Sequence, residues 1–360
     1  MINLDNVSRG LVIQLRRIGD VLLSTPVVRA IKEAKPGIYL AFLTESEAAP
    51  ILAASPHLDE LIVWERQHYG KLGYLWNVIR DIRAKQFDAV IDLQGSSRTA
   101  LIGLLSGATT RIGFDYRGRS LLYNAKVARS AAPKYGPAFK LDILKPLGID
   151  STNMLPEFHI PESIRNQLTE GDSKPFRKNT PFTIAISPVS RRWYKRWPLE
   201  NFAELTKWLI EEFNAQVILL CGPGESEEIN WIADEVKHGS VIRAPAQTLF
   251  EVAAHLENSD LLISNDNGIK HLATALGIST FTLFGPSEPV SWTYPDPQKH
   301  RFIRGACTCE GNNRRRSKCT GPACLTGLSA SEVKRSLFPF LRDIHNRKQV
   351  GQPPRNLAQA

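Results

Sequence analysis

Long apolar runs and secretory signals are missing from this sequence of 360 residues. No apolar run reaches the roughly 20 residues that a transmembrane helix needs. The first residues, MINLDNVSRGLVIQL, hold only a short apolar run, which is typical of a β-strand and not of a secretory signal. We therefore expect a soluble cytoplasmic protein.

Two common nucleotide-binding fingerprints are also missing. Neither G-x-G-x-x-G nor the Walker sequence G-x-x-x-x-G-K-[ST] occurs in the chain. Their absence argues against a dinucleotide-dependent dehydrogenase and against a P-loop NTPase.

Cysteine is scarce, with five residues in the chain. Cys221 ends an apolar run and is expected in the core, whereas Cys307, Cys309, Cys319 and Cys324 lie close together. In a cytoplasmic protein a metal explains such a cluster better than disulfides do. The spacing is not that of a standard zinc finger or ribbon, so plain thiols are the favoured interpretation and no metal is predicted.

Basic residues outnumber acidic ones and give a formal net charge of +9. They occur in small clusters, at residues 16–17, 117–119, 191–196 and 314–318, and not in one long stripe. This distribution, together with the lack of a nucleic-acid motif, favours an anionic small ligand or lipid headgroups over nucleic acid.

Short apolar runs of strand length alternate with amphipathic helical segments in both halves of the chain. The predicted strands are residues 11–15, 38–44, 61–64, 88–93, 111–114, 183–187, 216–221, 241–242, 260–264 and 279–284. Predicted helices include residues 21–35, 45–54, 72–84, 162–170, 201–213, 249–256, 269–276 and 331–347. This alternation predicts an α/β protein with doubly wound parallel sheets.

Proline and polar residues are concentrated at residues 161–181, between two such β/α series. We therefore predict an amino-terminal Rossmann-like domain over residues 1–160, a linker over 161–181 and a second Rossmann-like domain over 182–328. A helix and a flexible tail are expected over residues 329–360.

The chain is organised around residues 260–289, which form a predicted strand–loop–helix–strand unit. Asp266 and Asn267 can cap the helix, Gly268 permits a close approach to the backbone, and Gly277 is placed to end the helix. A helix start at the carboxyl end of a strand suits a phosphate group. The alternative is a capped helix with a solvated His271 and no ligand.

Several loop motifs follow one another along the chain: Arg17-x-Gly19-Asp20, D-L-Q-G at 92–95, R-I-G-F at 111–114, K-R-W-P at 195–198, G-P-G-E at 222–225, N-D-x-G-x-x-H-L-A-x-A-L-G at 265–277 and L-F-G-P at 283–286. In this order they resemble the bacterial heptosyltransferases of glycosyltransferase family 9, over roughly residues 10–305.

The resemblance implies a GT-B fold, in which two Rossmann-like domains face a cleft. It also implies inverting transfer of heptose from ADP-L-glycero-D-manno-heptose to the inner core of lipopolysaccharide. The acceptor would be Kdo-lipid A or an already heptosylated core. A lipid-linked acceptor would hold the enzyme in peripheral contact with the inner face of the cytoplasmic membrane.

Residue roles follow from the same resemblance. Asp20 matches the general base, and Lys195 matches the lysine that meets the phosphate of the departing ADP. The donor would also meet Ser190, Glu225, Asp266, Asn267, Gly268 and His271, with Glu225 at the ribose hydroxyls. Candidate acceptor contacts are Arg17, Arg98, Arg117 and Arg119. The family fold implies no cofactor and no metal for transfer.

The chain departs from the family pattern at Asn267 and at Lys270, which adds a lysine directly before His271. This departure leaves open a different donor preference. The alternatives are another sugar, a nucleotide-sugar epimerase, or a nucleotide-binding homologue without catalysis.

Overall fold

Two six-stranded parallel sheets, one in each half of the chain, form the framework of the protein. The computed structural model describes residues 2, 4–68, 71–116, 118–130, 132–170, 182–222, 224–245, 248–306 and 323–350. The chain divides into two compact units, Met1–Pro161 and Glu162–Ala360. Both units confirm the predicted α/β class, and the paired Rossmann-like units are those of a GT-B fold.

The elements of unit 1 follow the predicted alternation. Its strands are β1 (Arg9–Ile13), β2 (Tyr39–Glu45), β3 (Glu60–Trp64), β4 (Ala89–Asp92), β5 (Thr110–Phe114) and β6 (Ala125–Val127). Its α-helices are α1 (Ile18–Leu22), α2 (Thr25–Ala34), α3 (Leu72–Ala84), α4 (Ser97–Leu105) and α5 (Gly136–Leu141). Short 3-10 helices lie at Leu4–Asn6, Ala49–Ile51, Arg66–His68, Arg119–Leu122 and Asp142–Leu147.

Unit 2 repeats this plan. Its strands are β7 (Thr183–Ser187), β8 (Gln216–Cys221), β9 (Val241–Pro245), β10 (Leu261–Asn265), β11 (Ser279–Phe284) and β12 (His300–Arg304). Its α-helices are α6 (Glu162–Glu170), α7 (Leu199–Phe213), α8 (Ser226–Val236), α9 (Leu249–Glu257), α10 (Gly268–Ala275), α11 (Pro289–Trp292), α12 (Ala323–Thr326) and α13 (Ala330–Gln349). A 3-10 helix lies at Trp193–Lys195.

The two sheets have the same strand order. Unit 1 runs β3-β2-β1-β4-β5-β6, and unit 2 runs β9-β8-β7-β10-β11-β12. In each sheet the order reverses between the first and fourth strands of the unit, which pair directly: β1 with β4, and β7 with β10. Ligands of open parallel sheets bind beyond the carboxyl ends of the strands at such a switch point.

Several helices in the part of the chain described here begin or end at residues that bind their terminal backbone N–H groups or allow the chain to turn away. The Ser96 side chain accepts a hydrogen bond from the Thr99 N–H and caps α4, and Thr248 and Ser329 cap α9 and α13 in the same way. Gly277 follows α10 with a φ of +75°, a left-handed conformation that glycine adopts without strain.

Two predicted helices in unit 1 differ from the structure. The helix predicted over residues 45–54 is wrong: only the 3-10 turn Ala49–Ile51 forms, with Pro50 at its start. The helix predicted over 21–35 is divided into α1 and α2 because Pro26 has no N–H to donate to the Leu22 carbonyl. The Thr25 hydroxyl donates to that carbonyl instead, at 2.8 Å.

Five of the strands and α-helices described here were not predicted at all: β6, β12, α5 and the four-residue helices α11 and α12. Strand β6 is only three residues long, and β12 (HRFIR) is an edge strand with alternating charged residues and little apolar signal. Helix α5 begins with Gly-Pro, which reads as a turn in the sequence.

The predicted linker, residues 161–181, has one described part. Residues 162–170 form α6, and Arg165 makes two hydrogen bonds, of 2.9 and 3.0 Å, to the Glu257 carboxylate at the end of α9. Residues 171–181 and the tail after residue 350 lie outside the described residues. No helix among the residues covered by the structure is both long and apolar enough to cross a membrane.

Candidate active site

The switch point of unit 2 is built by two loops, one after β7 and one after β10. Asn265, the last residue of β10, is fully buried and joins them. Its Oδ1 accepts a hydrogen bond from the Trp197 N–H at 3.1 Å, and its Nδ2 donates to the Pro188 carbonyl at 2.5 Å. The buried Trp197 indole donates in turn to the Leu328 carbonyl at 2.7 Å. The K-R-W-P loop is therefore fixed against the end of β10.

Asn267 caps the helix that follows. Its Oδ1 accepts from the N–H groups of Ile269 and Lys270 at 3.0 and 3.3 Å. Its Nδ2 donates to Ser187 Oγ and to the Val189 carbonyl, both at 3.0 Å. The sequence suggests the start of this helix as a phosphate site. Two of its N–H groups, those of Ile269 and Lys270, are already hydrogen-bonded within the loop.

Asp266 lies between two lysines. Its Oδ2 is 2.5 Å from Lys195 Nζ, and its Oδ1 is 2.6 Å from Lys270 Nζ. Burial would raise the pKa of the Asp266 carboxyl, but the charges of Lys270 and Lys195 outweigh burial and hold the pKa well below its usual range. Burial lowers the pKa of Lys270 to about 8 against the opposing effect of Asp266. The side chain of Lys195 is 19% exposed and that of Lys270 only 3%.

His271 is buried beside this cluster, so the solvated alternative is wrong. Burial, assisted by the charge of Lys270, lowers the pKa of His271 to about 3. The imidazole is therefore neutral at physiological pH. Its ring centroid lies 6.1 Å from that of Trp292.

Ser190 and Glu225 lie in the loops beyond the carboxyl ends of the neighbouring strands β7 and β8. Ser190 is buried, and its carbonyl accepts a hydrogen bond from Arg196 Nε at 2.6 Å. Glu225 is partly exposed at the residue before α8, and its Oε2 lies 3.5 Å from where a Cβ on Gly222 would be. The structure thus brings Lys195, Asp266, Asn267 and His271 together, with Ser190 and Glu225 in adjoining loops.

Unit 1 has a corresponding arrangement at its own switch point. Asp20 is partly exposed in the first turn of α1, beyond β1. Gln94, from the D-L-Q-G motif after β4, accepts hydrogen bonds from the N–H groups of Leu15 and Arg16 at 2.9 and 3.2 Å. Ser24 Oγ donates to the Asp20 carbonyl at 2.7 Å. The loop that carries Asp20 is therefore fixed from both ends.

Lys140 is the residue of this site that the sequence did not reveal. It lies on the unpredicted helix α5, is buried, and its Nζ donates to Gln14 Oε1 at 2.7 Å and to Ser24 Oγ at 3.0 Å. Burial lowers its pKa to about 8, while the charges of Asp20 and Asp92 act in the opposite direction. Its only sequence signal is a lysine placed between two apolar residues.

Asp92 shapes the turn after β4. Its carboxylate accepts from the Tyr123 hydroxyl at 2.6 Å and from the N–H groups of Gln94 and Gly95 at 3.0 and 2.9 Å. Burial raises the pKa of Asp92 despite these hydrogen bonds. Gly95 has a φ of +60°, and a Cβ there would lie 2.5 Å from the Tyr116 ring, so the turn requires glycine.

The predicted acceptor arginines are only partly described. Arg17 is exposed at the residue before α1, and the Arg98 guanidinium lies 5.7 Å from the centroid of the Trp64 ring. Arg117 lies outside the described residues, and Arg119 is described only through the backbone of its 3-10 helix.

The cysteine cluster cannot be assembled from the described residues. Cys307, Cys309 and Cys319 lie outside them, whereas Cys324 is buried with its Sγ 3.1 Å from where a Cβ on Gly285 would be. Cys221 is a buried free thiol, as predicted. Within the described ranges, no three His, Cys, Asp or Glu residues are grouped so as to hold a metal ion.

Comparison with known proteins gives a consistent result. The model of "Glycosyltransferase family 9 (heptosyltransferase)" matches residues 75–321. Lipopolysaccharide heptosyltransferase 3 of Escherichia coli is 25% identical over 291 residues, covering 77% of this chain and 84% of that protein. Lipopolysaccharide heptosyltransferase 1 of Pseudomonas aeruginosa is 24% identical over 362 residues, covering 92% of this chain and 98% of that protein.

Solved structures share the fold. A glycosyl transferase family 9 protein from Veillonella parvula superposes with a TM-score of 0.79 at 23% identity, covering 95% of this chain and 99% of that one. The E. coli ADP-heptose lps heptosyltransferase II gives a TM-score of 0.72 at 22% identity, covering 93% and 99%.

Proposed function

This chain belongs to glycosyltransferase family 9, and we propose that it is an inverting enzyme that transfers heptose from ADP-L-glycero-D-manno-heptose to the inner core of lipopolysaccharide. The family membership makes it a glycosyltransferase. The observation that carries the finer proposal is the placement of Lys195 and the start of α10 at the switch point of unit 2.

The donor's pyrophosphate gains negative charge as ADP departs. Lys195 Nζ is a partly exposed cation, and the nearby amino end of α10 adds a partial positive charge. Both stabilise the leaving group in the transition state more than in the ground state, which is what accelerates the reaction. Because these groups supply the positive charge, we propose that transfer needs no metal ion.

Asp20 is proposed as the general base. Its carboxylate takes the proton of the acceptor hydroxyl while that oxygen bonds to the anomeric carbon and the bond from that carbon to the ADP oxygen breaks. One base on the face opposite the leaving group produces inversion without a covalent sugar–enzyme intermediate. Support comes from the anchored loop around Asp20, which Gln94 and Ser24 hold at the switch point of unit 1.

The decisive measurement is ADP release from ADP-heptose, with and without Kdo-lipid A, for the wild type, Asp20→Asn and Lys195→Met. We expect release that depends on the acceptor and falls by about 10² to 10⁴-fold in Asp20→Asn. Lys195→Met is expected to lower the rate by about 10² to 10³-fold. Lys207→Met, which removes an exposed ion pair with Glu235, is the matched control and should transfer normally.

Each other outcome has a definite meaning. ADP release without an acceptor, with a rearranged sugar, would replace the transferase by an epimerase. If ADP binds but this donor is not turned over, the nucleotide site of the proposal stands, and the protein either uses another sugar or has a non-catalytic role. Full activity of Asp20→Asn would refute the assignment of the base.

We also propose peripheral contact with the inner face of the cytoplasmic membrane through helix α3. Leu72 and Trp76, one turn apart, are 76% and 62% exposed, and Arg80 and Arg83 continue the same helix face. An exposed tryptophan favours the membrane–water interface, and arginines pair with anionic headgroups. Asp81, 3.7 Å from Arg80, is an acidic neighbour that offsets part of this charge.

Sedimentation with vesicles tests this contact. Phosphatidylglycerol vesicles should retain the protein better than phosphatidylcholine vesicles, and Trp76→Ser should reduce the retention. Trp231→Ser, which removes a 40% exposed tryptophan from α8 in unit 2, is the control. Equal retention of both variants would contradict the assignment to α3.

A further inference from the structure

Lys270 is one of the two residues at which the sequence departs from the family pattern, and the structure gives it an unusual environment. It occupies the third position of α10, is almost fully buried, and its Nζ lies 2.6 Å from Asp266 Oδ1. The same Nζ lies 4.2 Å from the centroid of the Phe284 ring. A carboxylate partner offsets the cost of burying an ammonium group, and an aromatic face adds to its stabilisation.

Lys195 is the second cation on the same carboxylate, but its surroundings differ. Its Nζ lies 2.5 Å from Asp266 Oδ2, and its side chain is 19% exposed. It extends from a 3-10 helix in the loop after β7, whereas Lys270 is enclosed by its helix and by Phe284. Of the two lysines, Lys195 is therefore the one that can turn toward a ligand without entering the core.

We propose that Lys270 is the permanent counter-ion of Asp266, and that it allows Lys195 to exchange from Asp266 to the pyrophosphate of the donor. This inference rests on the proposed function, because it needs an anionic donor at this switch point. Lys270 is a positioning residue: it acts on the ligand through Asp266 and Lys195 and does not touch the ligand itself.

The charges support this exchange. With His271 neutral, one carboxylate and two ammonium groups leave a net charge of +1 on the cluster. When Lys195 moves to the pyrophosphate, Asp266 and Lys270 remain as a neutral buried pair. Without Lys270, the same movement would leave a buried carboxylate unpaired, which is strongly unfavourable. Lys195 would then be held by Asp266, and the donor would bind more weakly.

The experiment measures ADP affinity by isothermal titration calorimetry for four proteins and one control. Lys270→Met keeps an unbranched side chain against Phe284 and should weaken ADP binding by about 10-fold or more. Adding Asp266→Asn to that variant should restore the affinity to within about 3-fold of the wild type, since an amide no longer holds Lys195 as an ion pair. Asp266→Asn alone should bind ADP at least as tightly as the wild type. The control Lys207→Met should bind like the wild type.

The ADP affinity of the double variant distinguishes this role of Lys270 from a direct phosphate contact and from a purely structural role. If the double variant stays as weak as Lys270→Met, Lys270 contacts the phosphate or merely supports the fold, and the inference is overturned. If Lys270→Met binds ADP normally, Lys195 is not held by Asp266 in the way proposed. Should Lys270→Met not fold, weaker binding by Asp266→Asn alone would overturn the inference by itself. Lack of ADP binding by the wild type would remove the proposed donor, and this inference with it.

Discussion

His300 begins strand β12 with its ring buried, and burial lowers its pKa to about 4. Its Nδ1 lies 3.0 Å from Thr280 Oγ1, and the ring packs edge-on against Tyr294 with 5.6 Å between centroids. In the unfolded chain the same group has the ordinary histidine pKa of 6.5. Between pH 6.5 and pH 4 the unfolded chain therefore binds a proton that the folded protein does not. Acid should lower the free energy of unfolding by an amount that this difference in pKa sets.

The size of the effect follows from the difference in pKa. The contribution of the neutral His300 to the free energy of unfolding is fully present above pH 6.5 and is lost as the pH falls towards 4. Between pH 7.5 and pH 4.5 the loss from His300 alone amounts to about 2.5 kcal/mol. His271, with its pKa lowered to about 3, adds a similar amount, for a total of about 5 kcal/mol.

Urea unfolding followed by tryptophan fluorescence, at pH 7.5 and pH 4.5, measures this loss. His300→Asn keeps a polar atom near Thr280 but cannot take up a proton. We expect it to lose about 2.5 kcal/mol less than the wild type between the two pH values. Thr280→Val is the control, because it removes the hydrogen-bond partner and keeps the histidine, and it should retain the wild-type loss. An equal loss in His300→Asn and the wild type would refute the reasoning.

Three further predictions concern the site and its surroundings. Lys140→Met should lower kcat by about 10-fold or more, because it removes two buried hydrogen bonds beneath the Asp20 loop. Its ADP affinity should stay within about 2-fold of the wild type, since Lys140 lies in unit 1 and the proposed ADP site in unit 2. Gly277→Ala should cost about 1 kcal/mol in urea unfolding, because an alanine is strained at a φ of +75°. EDTA should leave the transfer rate unchanged, and a loss of transfer would instead favour a metal at the cysteine cluster.

The positions of the candidate-site loops could be predicted from the sequence, because strands with both faces buried appear as continuous apolar runs. β7, β8 and β11 begin and end at the predicted residues. Once these strands are placed in a parallel sheet, the polar clusters that follow them must gather at one edge. The positions of Asp20, Lys195 and Asp266 at the switch points follow from this argument.

The partners of these residues could not be derived in the same way. Lys140 and Lys270 are lysines in short helices, and local sequence favours exposure for such residues. The burial of Lys140 depends on contacts far along the chain, such as Gln14, 126 residues away. Lys270 pairs with Asp266, only four residues before it, but it is also packed against Phe284 of the next strand, a contact that the local sequence does not reveal. Edge strand β12 was missed for a related reason, since its residues alternate between charged and apolar and its pairing partner β11 defines it as a strand.

An uncharged amide close to the end of the fourth strand of each unit connects fold and chemistry. Gln94 follows β4, and Asn265 ends β10, the fourth strand of its own unit. Gln94 accepts from the N–H groups after β1, and Asn265 binds the N–H of Trp197 and the carbonyl of Pro188 after β7. A carboxylate could accept these N–H groups, but it would place a second negative charge beside the functional carboxylate of each loop. An amide at these two positions fixes the loop without adding to the negative charge of Asp20 or Asp266.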